Sequence, residues 1–138
     1  MALPVRCRLS VNSEVLRKRT MRFAIRAVRF CRTLPAAWEA RRIGGQLVDS
    51  ATSVAMNYRA AGRGRSRAEF IAKLGIVVEE CDESVGWLEL IAELELSKGA
   101  ELDWLQGESQ ELLAIFAASP KTAKQNRQRQ ASDPSIRR

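Results

Sequence analysis

Residues 46–91 read QLVDSATSVAMNYRAAGRGRSRAEFIAKLGIVVEECDESVGWLELI, and two apolar rhythms in this stretch decide the fold. In its first half Leu47, Ala51, Val54 and Tyr58 recur at the spacing of one helical face, and Ile43 carries the stripe backwards. In its second half Phe70, Leu74, Val77, Cys81 and Leu88 make another such stripe. Gly62 and Gly64 stop the first helix between them. Ser66 and Glu69 then spell S-x-x-E, the capping box that opens a helix. The stretch is a helical hairpin, with helices predicted over about 36–61 and 67–96.

The same reading extends outward. Phe23, Ala27, Phe30 and Leu34 predict an earlier helix from about Thr20, which Pro35 ends because the residue before proline disfavours helix. Residues 1–19 lack periodicity and carry Pro4, Ser10, Asn12 and Ser13, so a basic disordered extension is expected there. Beyond the turn at Ser97, Leu102, Leu105, Leu112 and Phe116 predict a fourth helix from about Glu101, closed by Pro120. Residues 119–138 read as a basic disordered tail. No strand pattern occurs. The fold class is all-α, an antiparallel up-down-up-down four-helix bundle over 20–118.

The third helix carries more apolar surface than one neighbour covers. Ile71, Val78, Val85 and Ala92 recur every seven residues beside the main stripe, a coiled-coil-like seam. Ile76, Trp87, Ile91 and Leu94 fall on another side. That sector exceeds the roughly 100° of a one-sided surface helix, so these four are assigned to an interface with another subunit.

Composition removes much chemistry. The chain has no histidine, which excludes Ser-His-Asp and Cys-His nucleophiles, His-ligated zinc and the Glu-x-x-His pairs of di-iron bundles. No GxxxxGK[ST] or strand-linked GxGxxG is present. We expect no enzymatic activity, cofactor or metal. Cys7, Cys31 and Cys81 form neither a metal spacing nor a disulfide framework, so reduced thiols and a cytoplasmic location are expected. No apolar run approaches the roughly 18 residues of a membrane span.

Charge is unevenly distributed along a chain of net +7. Residues 1–35 hold nine Lys/Arg against one acid, and residues 36–67 hold six against two. Residues 68–119 reverse this, with two against twelve, before a basic tail. A basic first half and an acidic second half suggest a polyanion partner, self-association of opposite surfaces, or both.

Beside the apolar stripe of the second helix runs a polar one, Gln46, Ser50, Ser53 and Asn57. Lys73 and Glu80 lie seven apart on the third helix, with Glu83 nearby. Half-buried spacers are the plainer reading. The sharper one is a hydrogen-bonded seam in which Glu80 and Glu83 bind the amides and hydroxyls and pair with Lys73, fixing helix register.

With these residues placed, a resemblance emerges. Gln46-Leu47, Ser50, Ser53, Asn57, Ser66, Phe70, Lys73, Glu80, Glu83, Trp87 and Leu88 resemble the central hairpin of the four-helix-bundle proteins encoded in intervening sequences of bacterial 23S ribosomal RNA genes. RFAIRAVRFCRTLP resembles their first helix more loosely. The resemblance implies a four-helix bundle assembled as a homopentameric ring. It also implies a relation to the accessory variability proteins of diversity-generating retroelements, basic pentamers that bind nucleic acid and a reverse transcriptase. Two positions depart from the pattern: Ala60 stands where an acid often follows the asparagine, and Gly86 where an aromatic often precedes Trp87.

Arg59, Arg63, Arg65 and Arg67 crowd the turn of the hairpin. Three of them stand at a helix N-terminus, where cations oppose the dipole and an anion is favoured. A solvated loop is the bland alternative. Arg19, Arg22, Arg26 and Arg29 share a face of the first helix with no acid between Thr20 and Pro35, whereas an ordinary solvated face mixes signs. These eight arginines are the predicted phosphate contacts of a non-enzymatic oligomeric nucleic-acid-binding accessory protein, with structured RNA as the expected partner. The competing class is a scaffold whose basic surface docks an acidic protein. A membrane-surface role for the first helix is the weakest reading, since its apolar face is needed in the core.

Overall fold

The structure, a computed structural model, describes residues 5–119 and, in the tail, 128, 129, 131–133 and 135, with side chains from residue 13 onward. It contains four helices: α1 (Val5–Cys31), α2 (Trp38–Ala61), α3 (Arg67–Glu93) and α4 (Ala100–Ala117). No strand forms among the described residues. Each helix packs on its two chain neighbours and α1 closes on α4, whereas the backbones of α1 and α3 do not approach one another, nor do those of α2 and α4, which meet only through side chains in the core. The four helices therefore stand at the corners of a square around one core.

That core is built from the rows visible in sequence. Phe23, Ala27 and Phe30 enter from α1, Leu47, Ala51 and Val54 from α2, Leu74, Val77, Cys81, Leu88 and Ile91 from α3, and Leu102, Leu105, Leu112 and Phe116 from α4. Tyr58 and Phe116 meet with ring centroids 5.1 Å apart, a favourable tilted geometry. Gly44 leaves room for the end of α1 and the turn after it to lie on α2, because a Cβ there would stand 3.1 Å from the Leu34 side chain and 3.7 Å from Cys31 Cβ.

Each helix also buries one hydroxyl: Thr20, Ser50, Ser84 and Ser109 are all at most 1% exposed. Thr20, Ser50 and Ser109 donate to the carbonyls of Arg17, Leu47 and Gln106 within their own helices, so the core carries these polar atoms at little cost. Ser84 Oγ also reaches across to Ser50 Oγ at 2.9 Å.

The turns have distinct physical causes. Ser66 accepts from the Glu69 N–H at 3.1 Å to open α3. The Glu69 carboxylate returns to the N–H of Arg65 at 2.7 Å, one residue earlier than in the standard box. α3 ends in a Schellman-type turn: Glu95 N–H donates to Ala92 O and Leu96 N–H to Ile91 O. Glu95 occupies the left-handed position, φ 54°, that glycine usually fills, and Gly99 before α4 has φ 122°.

Two boundaries differ from expectation. α1 begins at Val5 rather than Thr20, so residues 5–19 are helical and not an extension. The periodicity there is hidden by polar residues, but Leu16 and Thr20 continue the row of Phe23, Ala27 and Phe30, with Thr20 buried and Leu16 packed on the core. α3 ends at Glu93 rather than Leu96. Residues 1–4 and most of the predicted tail lie outside the described residues.

Candidate nucleic-acid interface and polar seam

The eight predicted phosphate contacts do not form one patch. Arg19 and Arg26 turn inward along α1 to meet α4. Arg19 pairs with Glu108 at 2.5 Å and Glu111 at 2.8 Å. Arg26 binds Glu101 with two nitrogens at 2.7 and 2.9 Å and stacks 3.5 Å from the Trp104 ring centroid. The Arg26 guanidinium beside Glu101 holds that carboxyl below its ordinary range. These two arginines tie α1 to α4, and their assignment to phosphate is withdrawn. Their neutralising acids lie some 75 residues or more away in sequence, so an acid-free stretch of α1 did not mean an acid-free surface.

Arg22 and Arg29 are exposed on the outer side of α1 and have no acidic partner among the described residues. Arg63, Arg65 and Arg67 are exposed around the α2–α3 turn, their guanidinium groups likewise in no ion pair among the described residues, and Arg59 lies half-buried in the last turn of α2. The capping box already satisfies the N–H groups of Arg65 and Glu69. Any anion at this end would therefore meet guanidinium groups more than free helix N–H groups, a correction to the expected dipole-led site.

Sequence reasoning missed a second basic cluster. Arg41 and Arg42 are exposed in the first turn of α2, Arg32 is exposed just after α1, and Trp38 beside them is 74% exposed. An exposed tryptophan among arginines offers stacking as well as charge. A 24-residue helix separates it from the α2–α3 turn, about 36 Å at the α-helical rise. The dipeptide Arg41-Arg42 was the available signal.

The polar seam is smaller than expected, and a different residue completes it. Ser50 is buried and bonded to Ser84 on α3, which the sequence reading did not select. Asn57 donates to the Ser53 carbonyl at 2.9 Å within α2, and Gln46 is exposed. Glu83 accepts from Trp87 Nε1 at 3.2 Å on its own helix. Lys73 makes no ion pair among the described residues, so the expected pairing with Glu80 and Glu83 does not form. Desolvation, with Glu83, Glu79 and Asp49 nearby, pushes the Glu80 carboxyl above its ordinary value. Glu80 is therefore crowded by like charge and does not clamp the helix register.

On the predicted subunit interface, Ile76 and Leu94 are exposed, whereas Ile91 is fully buried in the core and Trp87 is half-buried against it. Ile91 is removed from the interface. Burial pushes the Cys31 thiol up to about 11 and Cys81 to about 12, so both stay protonated and unreactive at neutral pH. No cluster of three or more His, Cys, Asp or Glu among the described residues could hold a metal. No helix of the described residues is long and apolar enough to cross a membrane.

Four helices around one core, with arginines at the turns and along one outer helix face that have no acidic partner among the described residues, define a small all-helical protein. The chain belongs to the 23S rRNA-intervening sequence protein family, whose pattern matches residues 13–118. Among solved structures it is similar to a protein of unknown function from the S23 ribosomal protein family of Bacteroides thetaiotaomicron. The two are 28% identical, the match covers 74% of this chain and 94% of that one, and the TM-score is 0.68. No curated protein matches this chain.

Proposed function

We propose that this chain is a non-enzymatic, oligomeric nucleic-acid-binding accessory protein that holds structured RNA by its phosphates. The carrying observation is the α2–α3 turn, where the guanidinium groups of exposed Arg63, Arg65 and Arg67 make no ion pair among the described residues, while those of Arg19 and Arg26 do. Arginines left unpaired in a protein that pairs others are available to a polyanion, and counterion release supplies their affinity. In this reading each protomer is an antiparallel up-down-up-down bundle, and the protomers form a homopentameric ring that repeats the turn five times. The α1–α4 pairs support the antiparallel arrangement, because Arg19 meets Glu108 while the later Arg26 meets the earlier Glu101.

The test is titration of a fluorescent RNA hairpin into wild type and an R63Q/R65Q/R67Q variant at several salt concentrations. Binding by wild type that weakens in the variant, with a shallower salt dependence, supports the phosphate grip. Equal binding by both removes it. No binding by either moves the basic surfaces to a protein partner.

A further inference from the structure

Two outer helix faces of this protein carry complementary rows. On α1, Val15, Lys18, Arg22, Ile25 and Arg29, with Arg32 just beyond the helix, recur alternately three and four residues apart, and all six are exposed. On α3, Ile76, Glu79, Glu83, Gly86, Leu90 and Glu93 recur at the same alternation, and all six are exposed. That spacing is the seam of paired helices. Within one protomer it is unused, because the row on each helix that faces the core is a different one. The α1 row holds four cations and no acid, and the α3 row three carboxylates and no cation.

Apolar residues punctuate both rows and remain in water: Val15 is 55% exposed, Ile25 43%, Ile76 36% and Leu90 37%. A solvated face has no reason to place them at the seam positions. We propose that the outer face of α1 docks onto the outer face of α3 of a second copy of this chain. This specifies the interface of the oligomer proposed above and rests on that reading.

Laid parallel, the two rows match residue by residue. Val15 falls opposite Ile76, Lys18 opposite Glu79, Arg22 opposite Glu83, and Arg32 opposite Glu93. Ile25 falls opposite Gly86, where even an added Cβ meets nothing within 4 Å, so the isoleucine enters a notch. Arg29 alone meets an apolar residue, Leu90, with Glu93 one turn on. The present partners of the row are slight: Lys18 stands 4.0 Å from Glu14 and Glu79 3.4 Å from Arg129, all four side chains at least half exposed, and Glu83 accepts one bond from Trp87 Nε1 at 3.2 Å on its own helix.

Position in the fold sets the kind of assembly. α1 and α3 occupy opposite corners and their backbones do not approach one another, so one partner cannot engage both outer faces at once. The contact is head to tail, which closes into a ring or propagates. It also gives the basic residues separate roles. Lys18, Arg22, Arg29 and Arg32 meet the neighbouring copy, and the turn arginines stay free for RNA.

Light scattering coupled to size exclusion, without RNA, tests this on wild type, on K18E/R22E and on E79K/E83K. Wild type is expected at several times the 15.4 kDa chain and each variant near one chain, with helical circular dichroism unchanged. Mixing the two variants should restore association into alternating complexes, since each supplies the face that the other's reversed face requires, although an odd ring keeps one like-charged contact and does not close. Gly86→Trp, which fills the notch from a position where a Cβ meets nothing within 4 Å, should also dissociate the assembly, and it serves if a charge variant fails to fold. Variants that assemble like wild type, or a mixture that stays monomeric, overturn the docking while leaving oligomerisation intact. A monomeric wild type overturns both. R63Q/R65Q/R67Q should keep the wild-type mass, which separates this surface from the RNA reading.

Discussion

Ser84 Oγ lies 2.9 Å from Ser50 Oγ across the α2–α3 interface, with both side chains buried and Ser50 also donating to the Leu47 carbonyl. Removing one hydroxyl breaks this bond while its partner keeps a carbonyl of its own helix, Leu47 for Ser50 and Glu80 for Ser84, so the second removal has no inter-helix bond left to lose. Ser84→Ala and Ser50→Ala should each cost about 1 kcal/mol, and the double variant less than their sum. A double-mutant cycle from urea unfolding measures the coupling. Strict additivity would mean that the two hydroxyls do not interact.

Arg19 and Arg26 should matter to stability and Arg22 should not. Arg19→Met removes charge-assisted bonds to Glu108 and Glu111 in a partly buried site, and a loss of about 1–2 kcal/mol is expected. Arg22→Met, at an exposed position without an acid partner among the described residues, should stay within about 0.5 kcal/mol. Thermal unfolding of both variants in the E79K/E83K background, expected to be monomeric, separates folding from assembly.

Glu80 and Glu101 should respond oppositely to pH. Burial and neighbouring acids raise the Glu80 carboxyl in the folded state, so its favourable contribution exists below the ordinary carboxylate range and is lost as pH rises through the folded value. Glu80→Gln should therefore melt higher than wild type at pH 7 and converge with it near pH 4. Arg26 lowers Glu101, whose contribution is present above the ordinary range and fades as pH falls. Glu101→Gln should melt lower at pH 7, with the gap closing in acid. Melting curves from pH 3 to 7 read both signs.

The turn between α3 and α4 holds a left-handed glutamate, Glu95 at φ 54°, and a glycine, Gly99, at φ 122°. A side chain in the left-handed region costs roughly 1 kcal/mol. Glu95→Gly should stabilise by about that amount and Gly99→Ala should destabilise by about 1–3 kcal/mol. Chemical denaturation distinguishes the two, and the same sign for both would refute the backbone account.

Loss of the three turn arginines should weaken RNA binding at every sequence alike, because phosphates carry no sequence information. The slope of log affinity against log salt should fall by about one for each phosphate contact removed. Fluorescence anisotropy with two unrelated hairpins checks this, and selective loss for one hairpin would point to base reading instead.

Helix number and the core were legible in the chain because burial against neighbours imposes a local rhythm. Phe23, Leu47, Leu74 and Leu105 all lie in predicted rows and all are buried. Family membership was legible for the same reason, since Gln46 to Leu88 carry a pattern that the matched region, residues 13–118, contains. α1 was underestimated because Leu16 and Thr20 are separated by Arg17, Lys18 and Arg19, which obscure a row only two residues long. The capping box was readable, but not that Glu69 would return to Arg65 rather than Ser66.

Charge fate was not legible. Arg19 and Arg22 are alike in sequence, three residues apart on one helix, yet one pairs with Glu108 and Glu111 and the other has no acidic partner among the described residues. Ser50 stood in the polar stripe beside the apolar one, but its partner Ser84 lies 34 residues away. Sequence by itself determined where the helices run and which rows are apolar, because those depend on residues three and four apart. Tertiary structure decided which arginines are neutralised, which hydroxyls meet and which rows remain in water, because each depends on groups that only helix packing brings within a few ångströms.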